Sequence, residues 1–363
     1  MPEQHLSSSY LEISRADLQA NARAVTDYVG VPVIGVVKCD GYGVAAPEAA
    51  AAWASAGVTT LAVSDPAEAF ALREAGFEQD ILLLAPVAGE ELTDWLIDAG
   101  IILTVSGPDC ARFYASRKGE RAVRAHVAVD TGMGRFGSRW TDVEGLKEVY
   151  AVEGISFEGI FSHFAVSFES GSANTLRQLE RFRSALSALE AAGISVGTRH
   201  IANSCAALRF PETWLDAVRV GSALVGRLPA AVPVQLKPVG VFKACVVDRR
   251  TLRKGDTTGY ASICAMKEDT EVAVVAIGRH NGFGLIKRPE SLRRFDLLRA
   301  IRQAVQLCRR PAVVRYNGKS LRVIGRIGTQ YTLVETAGTD IAPGCMVTAE
   351  VDMLFPNPHR NYI

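Results

Sequence analysis

A lysine that ends a run of apolar residues is the first position able to do chemistry. Lys38 closes VPVIGVVK and is followed by Cys39-Asp40-Gly41-Tyr42-Gly43. An amine drawn into an apolar interior loses solvation of its charged form, so its pKa falls and it becomes a nucleophile able to form a Schiff base. Further along stand Asp130-Thr131-Gly132-Met133-Gly134-Arg135, then His163, then His200 leading to Asn203-Ser204, then Arg219-Val220-Gly221-Ser222. Tyr42, Ser204, Gly221 and Ser222 offer hydroxyls and backbone N–H groups of the sort that hold a phosphate. An amine together with a phosphate cradle suggests pyridoxal phosphate.

These residues need elements to position them, and the chain supplies a repeating pattern. Short runs rich in Val, Ile and Leu occur at 31–38, 59–63, 81–86, 102–105, 124–130, 156–164, 198–203 and 217–222. Between them lie Ala/Leu/Glu-rich stretches with helical periodicity, many opening after Asp, Ser or Pro. Eight continuous apolar strands alternating with helices suit a parallel sheet buried on both faces, and they predict a (β/α)₈ barrel, with an open doubly wound sheet as the alternative. Each candidate residue then falls at the carboxyl end of a strand, where barrels of this kind gather their chemistry. After Pro229 a Pro-punctuated crossing leads to strand signals such as VFKACVVD, EVAVVAIG and YTLVET, with Tyr316-Asn317-Gly318-Lys319 reading as a tight hairpin. The expected fold is therefore α/β, a (β/α)₈ barrel over 12–232 followed by a mostly-β domain over 233–363 that also takes in 1–11. Ser291 to Cys308 has helical spacing and reads as a helix or insertion.

Composition narrows the function classes. At 363 residues the chain is long enough for about two domains. Forty Lys and Arg against 39 Asp and Glu leave a formal charge of +1, so no bulk field draws in nucleic acid or an anionic membrane. Mean hydropathy is +0.12 and no apolar stretch is long enough to span a bilayer, which predicts a cytoplasmic protein. Seven cysteines without a CxxC pair argue against a disulfide framework or a zinc site, and no metal is expected.

The motifs together resemble the alanine racemase family of fold-type III pyridoxal-phosphate enzymes. VVKCDGYG at 36–43 is similar to that family's cofactor-lysine signature, and VDTGMGRFG, FSHFA, HIANSCAAL and VRVGSALVG resemble its further barrel motifs in the same order. YLEISRADLQANARAV resembles its opening, and GDTTGYAS at 255–262 the segment bearing its catalytic tyrosine. The resemblance implies a racemase acting on a small amino acid by a two-base mechanism, as a head-to-tail homodimer with shared active sites. Lys38 would hold pyridoxal 5′-phosphate and act as one base, and Tyr260 from the partner subunit as the other. Tyr42, Ser204, Gly221 and Ser222 would bind the phosphate, His163 would lie near the ring, Arg219 would face the ring nitrogen, and Arg135 would steer a phenolic oxygen or the substrate carboxylate. Tyr260 would need neighbouring positive charge to act as a base near neutral pH, with His163 and Arg219 as sources.

Several positions depart from the family. Ala128 stands where many members carry a lysine whose carbamate supports the arginine, so Arg135 must find another anion or none. Gly278-Arg279-His280-Asn281-Gly282 replaces GYADG, and Thr329-Gln330 replaces a Met-Asp pair. The tyrosine that narrows the family's pocket aligns with Asp352 in AEVDMLFPNPHRNYI, or else with Met353. A shorter polar residue there enlarges the pocket, and the ending resembles the serine racemase domains of the vancomycin-resistance type. Thr329 and Asp352 are thus expected to contact substrate, with serine or another polar amino acid turned over alongside alanine. The rival readings are a fold-related decarboxylase and a non-catalytic cofactor-binding protein. A zinc-assisted enzyme on this fold would want a His-x-Cys pair, and His280 is followed by Asn281 and Gly282.

Overall fold

The computed structural model describes residues 8–117, 121–169, 171–259, 262, 264–285, 312–336, 338–354 and 359–363. The chain divides into two compact units, Arg15–Val239 and Met1–Ser14 with Gly240–Ile363.

The first unit is the barrel. Its strands are β1 Val33–Val36, β2 Thr60–Val63, β3 Asp80–Leu83, β4 Leu103–Val105, β5 Val123–Asp130, β6 Ile155–Phe161, β7 Thr198–His200 and β8 Val218–Val220. Parallel ladders join β8 to β1, β1 to β2 and β2 to β3, and likewise β4 to β5, β5 to β6 and β6 to β7. Single bridges, Leu82 to Ile102 and His200 to Ala217, close the two arcs into a ring. Every residue of β1 is buried, as are most of β2 through β4, as expected for strands covered on both faces. Ile34, Val36, Ala62 and Leu82 from β1 to β3, with Ile102 and Ala217 directly before β4 and β8, form one buried cluster.

Helices follow the strands where the periodicity places them, among them Ala46–Ala54, Pro66–Glu74, Glu90–Asp98, Val143–Tyr150 and Ala173–Ala191. Pro66–Glu74 shows why a helix starts there. Asp65 accepts the Ala67 N–H, Pro66 occupies the first turn, and Glu68 reaches back to the Asp65 N–H, a complete capping box.

The second unit is built on one long strand, Gly240–Leu252. It pairs antiparallel with Ser9–Ile13 and Met346–Ala349 through its first half and with Thr270–Val275 through its second. Phe242, Ala244 and Val246 point into the core while Val241 and Val247 are exposed, the period-two pattern of a sheet wet on one side, and the register shifts between Val246 and Asp248. Val314–Tyr316 and Lys319–Leu321 form the expected hairpin, with Asn317 and Gly318 both at positive φ as its two-residue turn requires. The helical stretch expected between Ser291 and Cys308 lies outside the described residues.

Candidate active site

β1 ends at Val36, two residues before the apolar run does, because the chain then turns in an unusual way. Cys39, Asp40, Gly41, Tyr42 and Gly43 all have positive φ, between 52° and 91°. The left-handed conformation costs an L-residue about 1–2 kcal/mol, and three of these five are not glycine. Such a turn persists only where its surroundings hold it. Here the Glu68 carboxylate accepts the Cys39 N–H, and the Asp40 carboxylate accepts the Ala46 N–H at 2.9 Å. Gly41 sits against Ala46 and Ala49, where a Cβ would find Ala49 at 3.1 Å. The turn places the Lys38 amine 5.9 Å from the centroid of the Tyr42 ring.

Tyr42 lies against the loop after β8. A Cβ on Gly221 would come within 2.5 Å of the Tyr42 ring and hydroxyl, so only glycine leaves the phenol its place. The phenol accepts the Ser222 backbone N–H, while burial, with the nearby Cys39 and Glu68 adding to it, pushes its pKa up and keeps it protonated. Ser204 opens the helix Ser204–Arg209, capped by the Asn203 side chain, and its hydroxyl accepts the Gly221 N–H at 3.0 Å. Tyr42, Ser204, Gly221 and Ser222 therefore converge, as their types suggested.

Arg219 is fully buried on β8. Its guanidinium donates to the carbonyls of Ser162, His200 and Ile201 and meets Nδ1 of His200 at 2.6 Å and Nδ1 of His163 at 3.2 Å. Burial, helped by the charge of Arg135, lowers it to about 9, so it stays charged at neutral pH. Burial and then the charges of Arg219, Arg135 and Lys38 pull His163 down to about 3. His163 is consequently a neutral ring near pH 7, and the expectation that it lends positive charge to Tyr260 is corrected. His200 is a buried strand histidine with both ring nitrogens partnered, Nδ1 by Arg219 and Nε2 by His126.

Arg135 follows a loop pinned by Asp130, whose carboxylate accepts the N–H groups of Gly132, Met133 and Gly134. With Ala128 buried in β5 there is no lysine to carry a supporting anion. Among the described residues no carboxylate pairs with Arg135; its guanidinium instead lies over the Phe136 ring at 5.3 Å. Gln178, from the helix Ala173–Ala191, donates to the Thr131 hydroxyl and the His163 carbonyl and so ties the loops after β5 and β6 together.

Lys38, Tyr42, Arg135, His163, Ser204, Arg219, Gly221 and Ser222 all line one cavity of about 530 Å3 at the carboxyl ends of the strands. That volume lies within the range of small-molecule sites. An amine, a hydroxyl and N–H cluster with no room for a Cβ at Gly221, and a buried guanidinium fit an aldehyde cofactor bearing a phosphate. Thr329 and Asp352 belong to the other unit. Thr329 is exposed and its carbonyl accepts the His280 N–H at 2.9 Å, while the Asp352 carboxylate accepts the Leu354 N–H at 3.2 Å. Tyr260 lies outside the described residues. Sequence reading passed over Phe136, Phe161 and Ser167 in the cavity wall, and His126, which bonds His200 at 2.9 Å. The last had a signal: Gly159 inside strand β6 marks a close approach, and a Cβ there would collide with the His126 ring at 2.6 Å.

Comparison with known proteins gives the family and the fold. The family model for the alanine racemase N-terminal domain matches residues 13–229. An alanine racemase of Desulforamulus reducens is 33% identical over 337 residues, covering 90% of this chain and 85% of the relative. One of Desulfosudis oleivorans is 34% identical over 334 residues, covering 86% and 79%. The solved alanine racemase of Clostridium difficile 630 superposes with a TM-score of 0.87 at 24% identity, over 99% of this chain and 96% of that one, and so has the same fold. The chain belongs to the alanine racemase family, whose members are pyridoxal 5′-phosphate-dependent isomerases.

Proposed function

We propose that this protein interconverts the L and D forms of a small amino acid, alanine and serine or another polar one, with Lys38 and Tyr260 as its two bases. The observation that carries the reading is the convergence of the Lys38 amine with Tyr42, Ser204, Gly221, Ser222 and the buried Arg219 in one cavity. The cofactor supplies an electron sink for the pair left at Cα when its proton departs. Lys38 anchors it and exchanges a proton on one face. Tyr260, from the partner subunit of a head-to-tail homodimer, exchanges a proton on the other, because inversion needs departure and arrival on opposite sides. Tyr42, Ser204, Gly221 and Ser222 hold the phosphate through hydroxyls and N–H groups. Arg219, charged and bonded on its other edges to neutral partners, would meet the ring nitrogen as a cation and oppose its protonation. His163, neutral, would lie beside the ring, and Arg135 would steer the carboxylate. Thr329 and Asp352 shape the substrate end, in a pocket wider and more polar than a tyrosine would leave. We place the protein in the cytoplasm; among the described residues no helix is long and apolar enough to cross a membrane, and the described cysteines are free thiols.

The test uses purified protein with added pyridoxal 5′-phosphate in heavy water. The substrate Cα proton is expected to exchange while optical rotation decays, and borohydride is expected to fix the cofactor on Lys38. Colour without exchange overturns the racemase reading. A kcat/KM for alanine more than ~100-fold above that for serine, about 2.7 kcal/mol in the barrier, overturns the broadened specificity alone.

A further inference from the structure

We propose that Glu68 is a positioning residue for the cofactor site, acting through the left-handed turn that carries Lys38 into Tyr42. The inference rests on the reading of Lys38 and Tyr42 as cofactor-holding groups.

Glu68 uses its two carboxylate oxygens for different purposes. Oε2 accepts the Ser64 N–H at 3.0 Å, the Asp65 N–H at 3.2 Å and the Ser64 hydroxyl at 3.4 Å, all within its own helix start. Oε1 leaves that helix and accepts the Cys39 N–H from the preceding strand-to-helix connection. Asp65 already caps the helix through the Ala67 N–H at 2.8 Å, so the bond to Cys39 adds nothing the helix requires.

What the bond holds is the first residue of the positive-φ run. Cys39 and Asp40 stand where glycine is favoured, with φ of 54° and 52°, and the run continues through Gly41 to Tyr42. Among the described residues the Glu68 carboxylate is the partner of the Cys39 N–H. Released from it, Cys39 relaxes toward negative φ. Lys38 at one end of the turn and Tyr42 at the other then change their spacing, and the phenol leaves its place against Gly221. A carboxylate is the group the position demands. It presents an acceptor on both edges, whereas an amide turns a donor toward one of the two sets of N–H groups.

The experiment titrates pyridoxal 5′-phosphate into apo forms of the wild type and of E68Q, D65A and E68Q/C39G, reading the dissociation constant, the circular dichroism of the bound cofactor and the thermal midpoint. E68Q is expected to weaken cofactor binding at least ten-fold and alter the dichroic band. D65A, which damages only the helix cap, is expected to lower the midpoint while leaving the dissociation constant within two-fold. Glycine at position 39 adopts positive φ unaided, so E68Q/C39G is expected to recover most of the lost affinity. Should E68Q fail to fold, E68D, one methylene short of Cys39, is read against the same thresholds. Cofactor affinity within two-fold of wild type in the Glu68 variant, or an equal loss in D65A, overturns the proposal. Borohydride trapping on Lys38 in the wild type separates the two failures: no label there sinks the reading beneath it, and label with unchanged E68Q binding sinks the role of Glu68 alone.

Discussion

His200 accepts from Arg219 and must therefore donate to His126. A guanidinium has no acceptor, so the 2.6 Å contact from Arg219 puts a lone pair on Nδ1 of His200. A neutral His200 then carries its proton on Nε2, which points 2.9 Å toward Nδ1 of His126. That nitrogen must accept, as must Nδ1 of His163 facing Arg219 at 3.2 Å. One buried cation thus fixes the tautomers of three imidazoles, each of them neutral.

The neutrality of these rings predicts acid sensitivity. Burial and then Arg219 lower His126 to about 4 and His163 to about 3, and the same causes hold His200 well below its usual value. Each ring binds its proton more readily in the unfolded chain. The stability they contribute is full above pH ~6.5 and falls as the pH drops toward 4, at up to ~1.4 kcal/mol per group, or on the order of 4 kcal/mol for three, per pH unit. Urea midpoints measured from pH 7.5 to 4.5 should show the fall begin near 6.5; a flat profile down to pH 5 contradicts it.

Gly221→Ala should be far worse than a surface exchange of the same size. Its Cβ would stand 2.5 Å from the Tyr42 hydroxyl, so the phenol must move out of the cradle. We expect cofactor affinity to drop at least ten-fold with a stability cost of about 1–3 kcal/mol, read by cofactor titration and thermal unfolding.

Asn203→Ala removes the acceptor for the Ala206 N–H at 3.1 Å and for the Ser167 hydroxyl at 2.8 Å. The loss of a cap of this kind is worth about 1 kcal/mol. Asn203→Asp keeps both acceptors and should restore the thermal midpoint; an equal loss in both variants would show that the cap is not the cause.

Arg219→Lys retains the charge but cannot reproduce a fork that reaches Ser162, His200, Ile201 and His163 at once. A destabilisation of about 3 kcal/mol is expected, together with a changed absorption maximum of the bound cofactor. An unchanged spectrum would contradict the placement of Arg219 beside the ring.

Much of the barrel was legible because its strands are buried on both faces: ILL of β3 and VAV within β5 have no polar side to disguise them. Lys38, Ser204, Arg219 and Gly221 stood out for the same reason, since each lies in such a run or directly after one. The left-handed turn was not legible, because Cys39 and Asp40 carry no local mark of it and the carboxylate that accepts the Cys39 N–H lies 29 residues away. His126 was passed over although Gly159, opposite it on β6, is the one local mark of its ring.

Two seams of the strand ring are closed by a single bridge, and one of them is where β7 meets β8, from His200 to Ala217. Arg219 spans that seam twice, its N–H to the Ala202 carbonyl at 3.0 Å and its side chain to the carbonyls of His200 and Ile201. One side chain is therefore both lining and rivet. A lineage drifting toward a differently charged floor for its pocket cannot simply exchange this residue; it must first find another way to keep the cylinder shut.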